Sequence, residues 1–409
     1  MVAMSAQAFA TSKTVSVTEA GTLSTLIPAS EKNAITSLTV SGTLNGTDIR
    51  FIREMAGLDI EGETTDGKLT ELNIAGIELT DGGDAYYEDA WSKYYTATSY
   101  DVSEDNDLYY CTDLSYAFTG TNLTKVVWPA TMWEVGENAL AYCSELKEFV
   151  LGSETNEIKP HAFSRCVGLS AITLPETLTT IGDEVFYRCT GLTKLALPNS
   201  VTSIGESFVY RCSALKSVTL GSGISTVGES MFYYANGLES IDVPEGYTSI
   251  GYEAFASCSA LKSVTLPSTI GTIAAEAFYG CSALESFTIK VAAPITITAD
   301  VFEDVDLNTC ALNVPEEGVE AYKADAQWGK FKNINGIMPS GVNDVVSTID
   351  ASVSVANGVL TIDGAQGDIS VYNIGGVRLA NGSERLSVTL NKGVYIVTLN
   401  GKATKVIVK

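Results

Sequence analysis

The stretch Leu169-Ser170-Ala171-Ile172-Thr173-Leu174-Pro175-Glu176-Thr177-Leu178-Thr179-Thr180-Ile181-Gly182-Asp183-Glu184-Val185-Phe186-Tyr187-Arg188-Cys189 decides the fold. Its skeleton, L-x-x-I-x-L-P-x-x-L-x-x-I-G-x-x-x-F-x-x-C, recurs along the chain on a 23-residue grid. Cysteines at 143, 166, 189, 212, 258 and 281 mark that grid, and Ala235 fills its one vacant point. Three residues after each grid point stands a leucine: Leu146, Leu169, Leu192, Leu215, Leu238, Leu261 and Leu284. Three before it stands a large apolar residue: Leu140, Phe163, Phe186, Val209, Phe232, Phe255 and Phe278. A further rung with Leu123, Val126, Trp128 and Pro129 precedes the cysteines, so eight rungs run from about Leu123 to Ile289.

The spacing dictates the local structure. Ile172 and Leu174 lie two apart, the period of a short strand with one face inward. Pro175, Pro198, Pro244 and Pro267 end that strand, because proline donates nothing to a ladder. Gly182, Gly205, Gly228 and Gly251 hold one recurring corner. A unit this small cannot bury its apolar residues alone, so successive units must stack. The cysteines then fall in a column of small, buried, weakly polar side chains. Parallel inward side chains about 4.8 Å apart keep their Cβ atoms too distant for disulfides, and a line of thiols does not converge on a zinc or iron–sulfur centre. Cys111 and Cys310 lie off the grid.

These residues and spacings resemble the leucine-rich-repeat class, and more narrowly the BspA-type repeats of bacterial surface proteins, over about Leu123 to Ile334. The resemblance includes a closing segment, Cys310-Ala311-Leu312-Asn313-Val314-Pro315 followed by Tyr322, Trp328, Phe331 and Ile334. In that family such a segment covers the last rung with a final strand and a short helix. The expected fold is therefore a repeat solenoid of 23-residue units with α/β cap elements, followed by a small C-terminal all-β sandwich.

The flanks complete the expected organisation. Residues 1–10, with Ala8-Phe9-Ala10 in the form of a signal-peptidase site, read as the remnant of an export signal or as an apolar N-terminus. Residues 11–118 read as an N-terminal cap with a helix near Asp48–Ala56, one irregular rung at Leu69, Leu72 and Ile74, and an aromatic, acidic insertion. The insertion holds Tyr86, Tyr87, Trp91, Tyr94, Tyr95, Tyr100, Tyr109 and Tyr110, which either pack down as cover or stand out to meet a sugar or a protein. Asp101, Glu104, Asp105 and Asp107 miss the spacing of a calcium loop. The solenoid spans 119–338, with its C-terminal cap at 295–338. Residues 342–409 alternate with period 2 between Gly- and Asn-rich turns, which predicts six or seven strands. Val371-Tyr372-Asn373-Ile374-Gly375-Gly376, Lys392-Gly393-Val394-Tyr395-Ile396-Val397 and the ending Lys405-Val406-Ile407-Val408-Lys409 are similar to the secretion-tail domains of Bacteroidetes-type exported proteins, although the opening Pro-Asn-Pro of that family is absent.

Composition narrows the function. A net charge of −24 argues against nucleic acid and anionic membranes. No apolar run approaches the ~18 residues of a transmembrane segment. A single histidine, His161, removes most metal sites and most Ser-His or Cys-His arrangements. It stands where other rungs carry Glu or Ser and reads as exposed filler. No phosphate loop, G-x-S-x-G elbow or H-E-x-x-H is present, so neither an enzyme nor a cofactor is expected.

One asymmetry stands out. Arg165, Arg188 and Arg211 precede successive cysteines, with Tyr187, Tyr210, Tyr233 and Tyr234 beside them. Stacked arginines repel one another unless something anionic lies near. Either a parallel column of Asp183, Glu206 and Glu229 neutralises them, or the stripe grips an acidic or glycan ligand. The resemblance implies a secreted or cell-surface, adhesin-like binding protein that recognises a host or neighbour-cell protein or glycan, and a monomer is expected. Binders of extracellular-matrix proteins such as fibronectin and fibrinogen occur in that family. The alternative is a structural spacer or presentation scaffold that binds nothing.

Overall fold

The computed structural model describes residues 11–99, 101–103, 107–337, 351–356, 358–391, 393–400 and 402–408. The export-signal remnant at 1–10, together with Tyr100, Glu104 and Asp105, lies outside the described residues. The molecule divides into two compact units, one built from the chain up to 262 with 272–283 and 298–305, the other from 263–271, 284–297 and 306 onward.

In the first unit most rungs give two short parallel strands. The first follows the L-x-x-I-x-L pattern, as at Lys125–Val127 and Glu148–Val150, and again at Lys194–Ala196 and Ser217–Thr219. The second lies at the Ile-Gly corner, which is therefore a ladder of its own and more than a turn. Glu134–Val135, Glu157–Ile158, Thr180–Ile181 and Ser203–Ile204 pair in parallel, as do Thr226–Val227, Ser249–Ile250 and Thr272–Ile273. The first ladder is interrupted at 171–174, where the bond from Thr193 N to Ser170 O maintains the contact between rungs.

Stacking turns each repeated letter into a column. Phe163, Phe186, Phe208, Phe232, Phe255 and Phe278 are fully buried. Their rings lie one rung apart: Phe163–Phe186 at 5.5 Å, Phe232–Phe255 at 5.1 Å and Phe255–Phe278 at 5.3 Å, all stacked. Where the column position carries Val209, the neighbouring Phe208 fills the space and meets Phe186 edge-on at 5.5 Å. All eight cysteines are free and buried. Each grid cysteine donates its thiol proton to a carbonyl of the preceding rung, as in Cys189 Sγ to Phe163 O at 3.0 Å and Cys212 Sγ to Phe186 O at 3.0 Å. Cys143, Cys166, Cys258 and Cys281 do the same at 3.0 to 3.2 Å. The column is thus a chain of buried S–H donors linking rung to rung, and burial pushes the Cys189 and Cys281 thiols up to about 12.

At the N-terminal end the parallel ladder extends beyond the single irregular rung expected. Thr11–Val17, Ile35–Leu44 and Glu71–Leu79 lie side by side and join Lys125–Val127. Helix Gly46–Met55 is started by a capping box between Asn45 and Asp48. Its buried Arg53 donates to the carbonyls of Asp59, Ala117 and Thr119 at 2.7, 3.1 and 3.1 Å, tying the helix to the first rung. The insertion folds as a four-stranded sheet of Tyr87–Glu88, Lys93–Thr96, Leu108–Cys111 and Asp101–Ser103. Tyr86 and Tyr94 are buried, so much of the insertion is cover, while Trp91 is 83% exposed.

In the second unit Ser263–Leu266, Ser286–Ile289, Ala311–Pro315 and Asn333–Ile337 continue as parallel strands. The closing segment forms as the resemblance implied. Helix Val319–Ala324 lays down Tyr322, whose hydroxyl donates to Val291 O at 2.9 Å, and Trp328 Nε1 donates to Ile295 O at 2.8 Å. The C-terminal segment is one antiparallel sheet of five strands among the described residues: Ser352–Ala356, Val359–Asn373, Arg378–Thr389, Gly393–Leu399 and Lys402–Val408. Two of the expected strands, at Val359–Ile362 and Asp368–Tyr372, are one long strand with a register shift between Asp363 and Asp368. Leu360, Ile362, Ile369, Val371, Val397 and Leu399 make its core.

Candidate binding stripe

The stripe begins as a backbone problem. In every rung the residue before the grid point has a left-handed conformation: Tyr142 (φ 62°), Arg165 (61°), Arg188 (56°), Arg211 (59°), Tyr234 (57°), Ser257 (60°) and Gly280 (68°). This region suits glycine and is uncommon for other residues. Only the last of these rungs uses glycine. Five of the seven carry arginine or tyrosine, so those side chains contribute something that outweighs the backbone cost.

Backbone bonds fix the spacing of the column. Arg165 N donates to Tyr187 O at 2.7 Å, Arg188 N to Tyr210 O at 2.8 Å, and Arg211 N to Tyr233 O at 2.8 Å. The tyrosines stack beside them, Tyr187–Tyr210 at 5.2 Å and Tyr210–Tyr233 at 4.8 Å, and Tyr234 meets Tyr233 edge-on at 4.7 Å. All seven sequence candidates are therefore brought together. Within the stack each ring face is covered by its neighbour, so these tyrosines offer edges and hydroxyls to a ligand.

Of the two readings of the arginines, pairing with an acidic column finds no ion pair: among the described residues none joins Arg165, Arg188 or Arg211 to Asp183, Glu206 or Glu229. Asp183 instead turns to the backbone, its Oδ1 accepting from Glu206 N at 2.8 Å. The guanidinium groups lie on aromatic faces: Arg165 over Tyr142 at 5.2 Å and Tyr187 at 5.8 Å, Arg188 over Tyr187 at 5.3 Å, and Arg211 over Tyr210 at 5.5 Å and Tyr234 at 4.9 Å. Cation–π attraction orders the column without discharging it. The Nε atoms of Arg188 and Arg211 are buried and have no hydrogen-bond partner.

Two grooves open along the stripe. One, of about 450 Å³, is lined by Tyr116, Tyr142, Tyr187, Arg165, His161, Ser164, Asn138 and the acids Glu137 and Glu184. Tyr116 donates its hydroxyl to Glu137 at 3.0 Å, and burial, with Glu137 alongside, raises the Tyr116 phenol well above the usual tyrosine range. His161 Nδ1 lies 3.5 Å from Glu184, so the single histidine is part of this wall, a role its repeat position concealed. The other groove, of about 370 Å³, is lined by Arg188, Arg211, Tyr234, Thr190, Ser213 and Asn236, with no acid. Thr190, Ser213 and Asn236 occupy equivalent places on three rungs, immediately after the grid point, and the sequence signal for them was that spacing.

A family model for the BspA type leucine rich repeat region matches six copies across residues 114–239 and 208–320, just over half the chain. The chain belongs to the BspA-type leucine-rich-repeat family. A comparison with curated proteins finds no significant match. Among solved structures, this BspA-type chain is similar to the leucine-rich-repeat protein TpLRR of T. pallidum, at 28% identity, covering 40% of this chain and 87% of that one with a TM-score of 0.35. It is also similar to a leucine-rich-repeat protein of Bacteroides ovatus, at 19% identity over 59% of this chain and 79% of the other, TM-score 0.33. A third likeness is to the pneumococcal vaccine antigen PcpA, at 15% identity over 70% and 75% of the two chains, TM-score 0.31. No helix among the described residues is long and apolar enough to cross a membrane.

Proposed function

We propose that this chain is a secreted or cell-surface binding protein, adhesin-like, that recognises a host or neighbour-cell protein or glycan through the stripe of Arg165, Arg188, Arg211, Tyr187, Tyr210, Tyr233 and Tyr234. One observation carries the reading: three arginines without acidic partners sit at left-handed backbone positions that glycine would fill at less cost. On a chain of net charge −24, a cationic column that the protein leaves undischarged is a specific feature rather than background. Arginine and tyrosine are also the residue types enriched where binding energy concentrates. Family membership supports the surface setting, and a stacked scaffold presents such a column with little ordering cost on binding.

The serines Ser217, Ser240, Ser263 and Ser286 at one strand position favour the spacer reading there, although Lys125, Glu148 and Lys194 hold that position in earlier rungs. A panel of extracellular-matrix proteins and a glycan array, probed with the whole chain, separates the two. Capture of any member that is lost on charge reversal at Arg188 and Arg211 supports the binder, and absence of all capture supports the spacer.

A further inference from the structure

The two grooves differ in charge, and that difference specifies a ligand for one of them. This step rests on the binding reading above and names the chemistry of the partner. We infer that the groove formed by Arg188, Arg211, Thr190, Ser213, Asn236 and Tyr234 binds an acidic polysaccharide, its sulfate or carboxylate held by the two arginines.

The lining decides the charge of the ligand. Both charged residues are arginines and none is an acid, whereas the neighbouring groove contains Glu137 and Glu184. Neither arginine side chain makes a hydrogen bond or ion pair among the described residues, so an anion breaks no existing bond when it binds. The remaining lining residues, Thr190, Ser213, Tyr234 and Asn236, carry three hydroxyls and a carboxamide, groups that serve sugar hydroxyls as donors and acceptors. Guanidinium forks match the planar oxygens of a carboxylate or sulfate.

The spacing favours a glycan over an acidic peptide. Rungs repeat at the tyrosine separations of 5.2 and 4.8 Å. An extended peptide presents side chains on one face about 6.8 Å apart, twice its ~3.4 Å rise, and loses register by the second rung. A β-linked pyranose chain advances by close to one rung per sugar, so successive sugars meet equivalent donors at residues 190, 213 and 236. The narrow file of charge on an otherwise acidic protein also excludes indiscriminate polyanion binding, which requires a broad basic surface.

The test uses the whole chain with three fluorescent probes: cellulose sulfate, uncharged hydroxyethyl cellulose of the same length, and poly-glutamate. Anisotropy is followed at two salt concentrations. Saturable binding of cellulose sulfate alone is expected, weakening with salt and falling at least tenfold in Arg188→Glu/Arg211→Glu. A milder variant, Thr190→Val/Ser213→Ala, removes the two aliphatic hydroxyls without touching charge and should weaken binding several-fold, which keeps the test valid if charge reversal harms the fold. Equal binding of poly-glutamate would replace the glycan with an acidic protein segment and overturn the inference. Binding of no probe overturns it as well, yet leaves the binder reading standing if the matrix-protein panel still shows capture sensitive to Arg188 and Arg211.

Discussion

Gly205 and Gly228 occupy the same place in successive repeats, yet the stack gives them opposite tolerance for a side chain. A Cβ added at Gly205 would lie 2.5 Å from Asp183 N and 2.6 Å from Gly182 C, both backbone atoms of the preceding rung. The rungs would have to part by about 0.9 Å to bring the first contact to 3.4 Å. That movement stretches the bond from Gly205 N to Ile181 O, now 2.8 Å, beyond hydrogen-bonding length. Overpacking of this kind costs about 1–3 kcal/mol, and the lost bond adds about 1 kcal/mol. Gly205→Ala should therefore destabilise by about 2–4 kcal/mol. At Gly228 a Cβ meets nothing within 4 Å, and its φ lies outside the left-handed region. Gly228→Ala should then stabilise by about 0.4–1 kcal/mol, because alanine restricts the unfolded chain. Since long repeat arrays depart from two-state unfolding, the assay is the urea midpoint of each variant beside hydrogen exchange at Ile181 and Ile204. Shifts of the same sign in both variants would refute the claim that rung-to-rung backbone approach is what this corner glycine serves.

The thiol column makes a milder prediction. Cys189→Ala removes a donor whose acceptor, Phe163 O, keeps its bond from Cys166 N at 3.1 Å, so no carbonyl is orphaned. The cost should stay near 1–2 kcal/mol in thermal or urea unfolding, while Cys189→Ser should be smaller because the hydroxyl donates to the same carbonyl. Burial holds the Cys189 and Cys281 thiols up at about 12 and Cys143 at about 11, against 9.0 when unperturbed. The folded state thus keeps protons that the unfolded chain releases. The stabilising contribution is full below pH 9 and should decline as pH rises from about 9 towards 12, which an alkaline denaturation series checks. For the same reason the grid cysteines should resist alkylation by iodoacetamide until the chain is unfolded. Phe186→Ala empties the middle of the ring column and should cost about 3–5 kcal/mol, read as a lower urea midpoint.

Much of this architecture was legible because each repeated residue solves one packing problem. The Leu, Phe and Cys columns follow from a period alone, and the buried closing residues Tyr322 and Trp328 follow from the need to cover the last rung. Other features were hidden for identifiable reasons. The second ladder at the Ile-Gly corner is only two residues per rung, too short to show a strand period. Thr11–Val17 and Ile35–Leu44 pair in parallel across irregular spacing, so no repeat announced them. The seven stripe residues were legible as a column, but the left-handed backbone at Arg165, Arg188, Arg211 and Tyr234 was not, because arginine and tyrosine disguise it and only Gly280, at the same place in a later rung, exposes it. The sequence left open whether Asp183 reaches an arginine, because nothing in the spacing shows that its carboxylate accepts from the backbone of the next rung instead. His161 was masked by sharing its position with Glu184 and Ser207, although it lines a groove.

The central claim is that the undischarged arginine column binds a partner outside the protein. Its most direct test compares the whole chain with Arg188→Glu/Arg211→Glu on one surface bearing matrix proteins and sulfated and neutral glycans, with circular dichroism confirming that both chains are folded. The account predicts capture by the unaltered chain and at least a tenfold loss in the variant. Equal capture by two folded chains, or capture by neither, would contradict it.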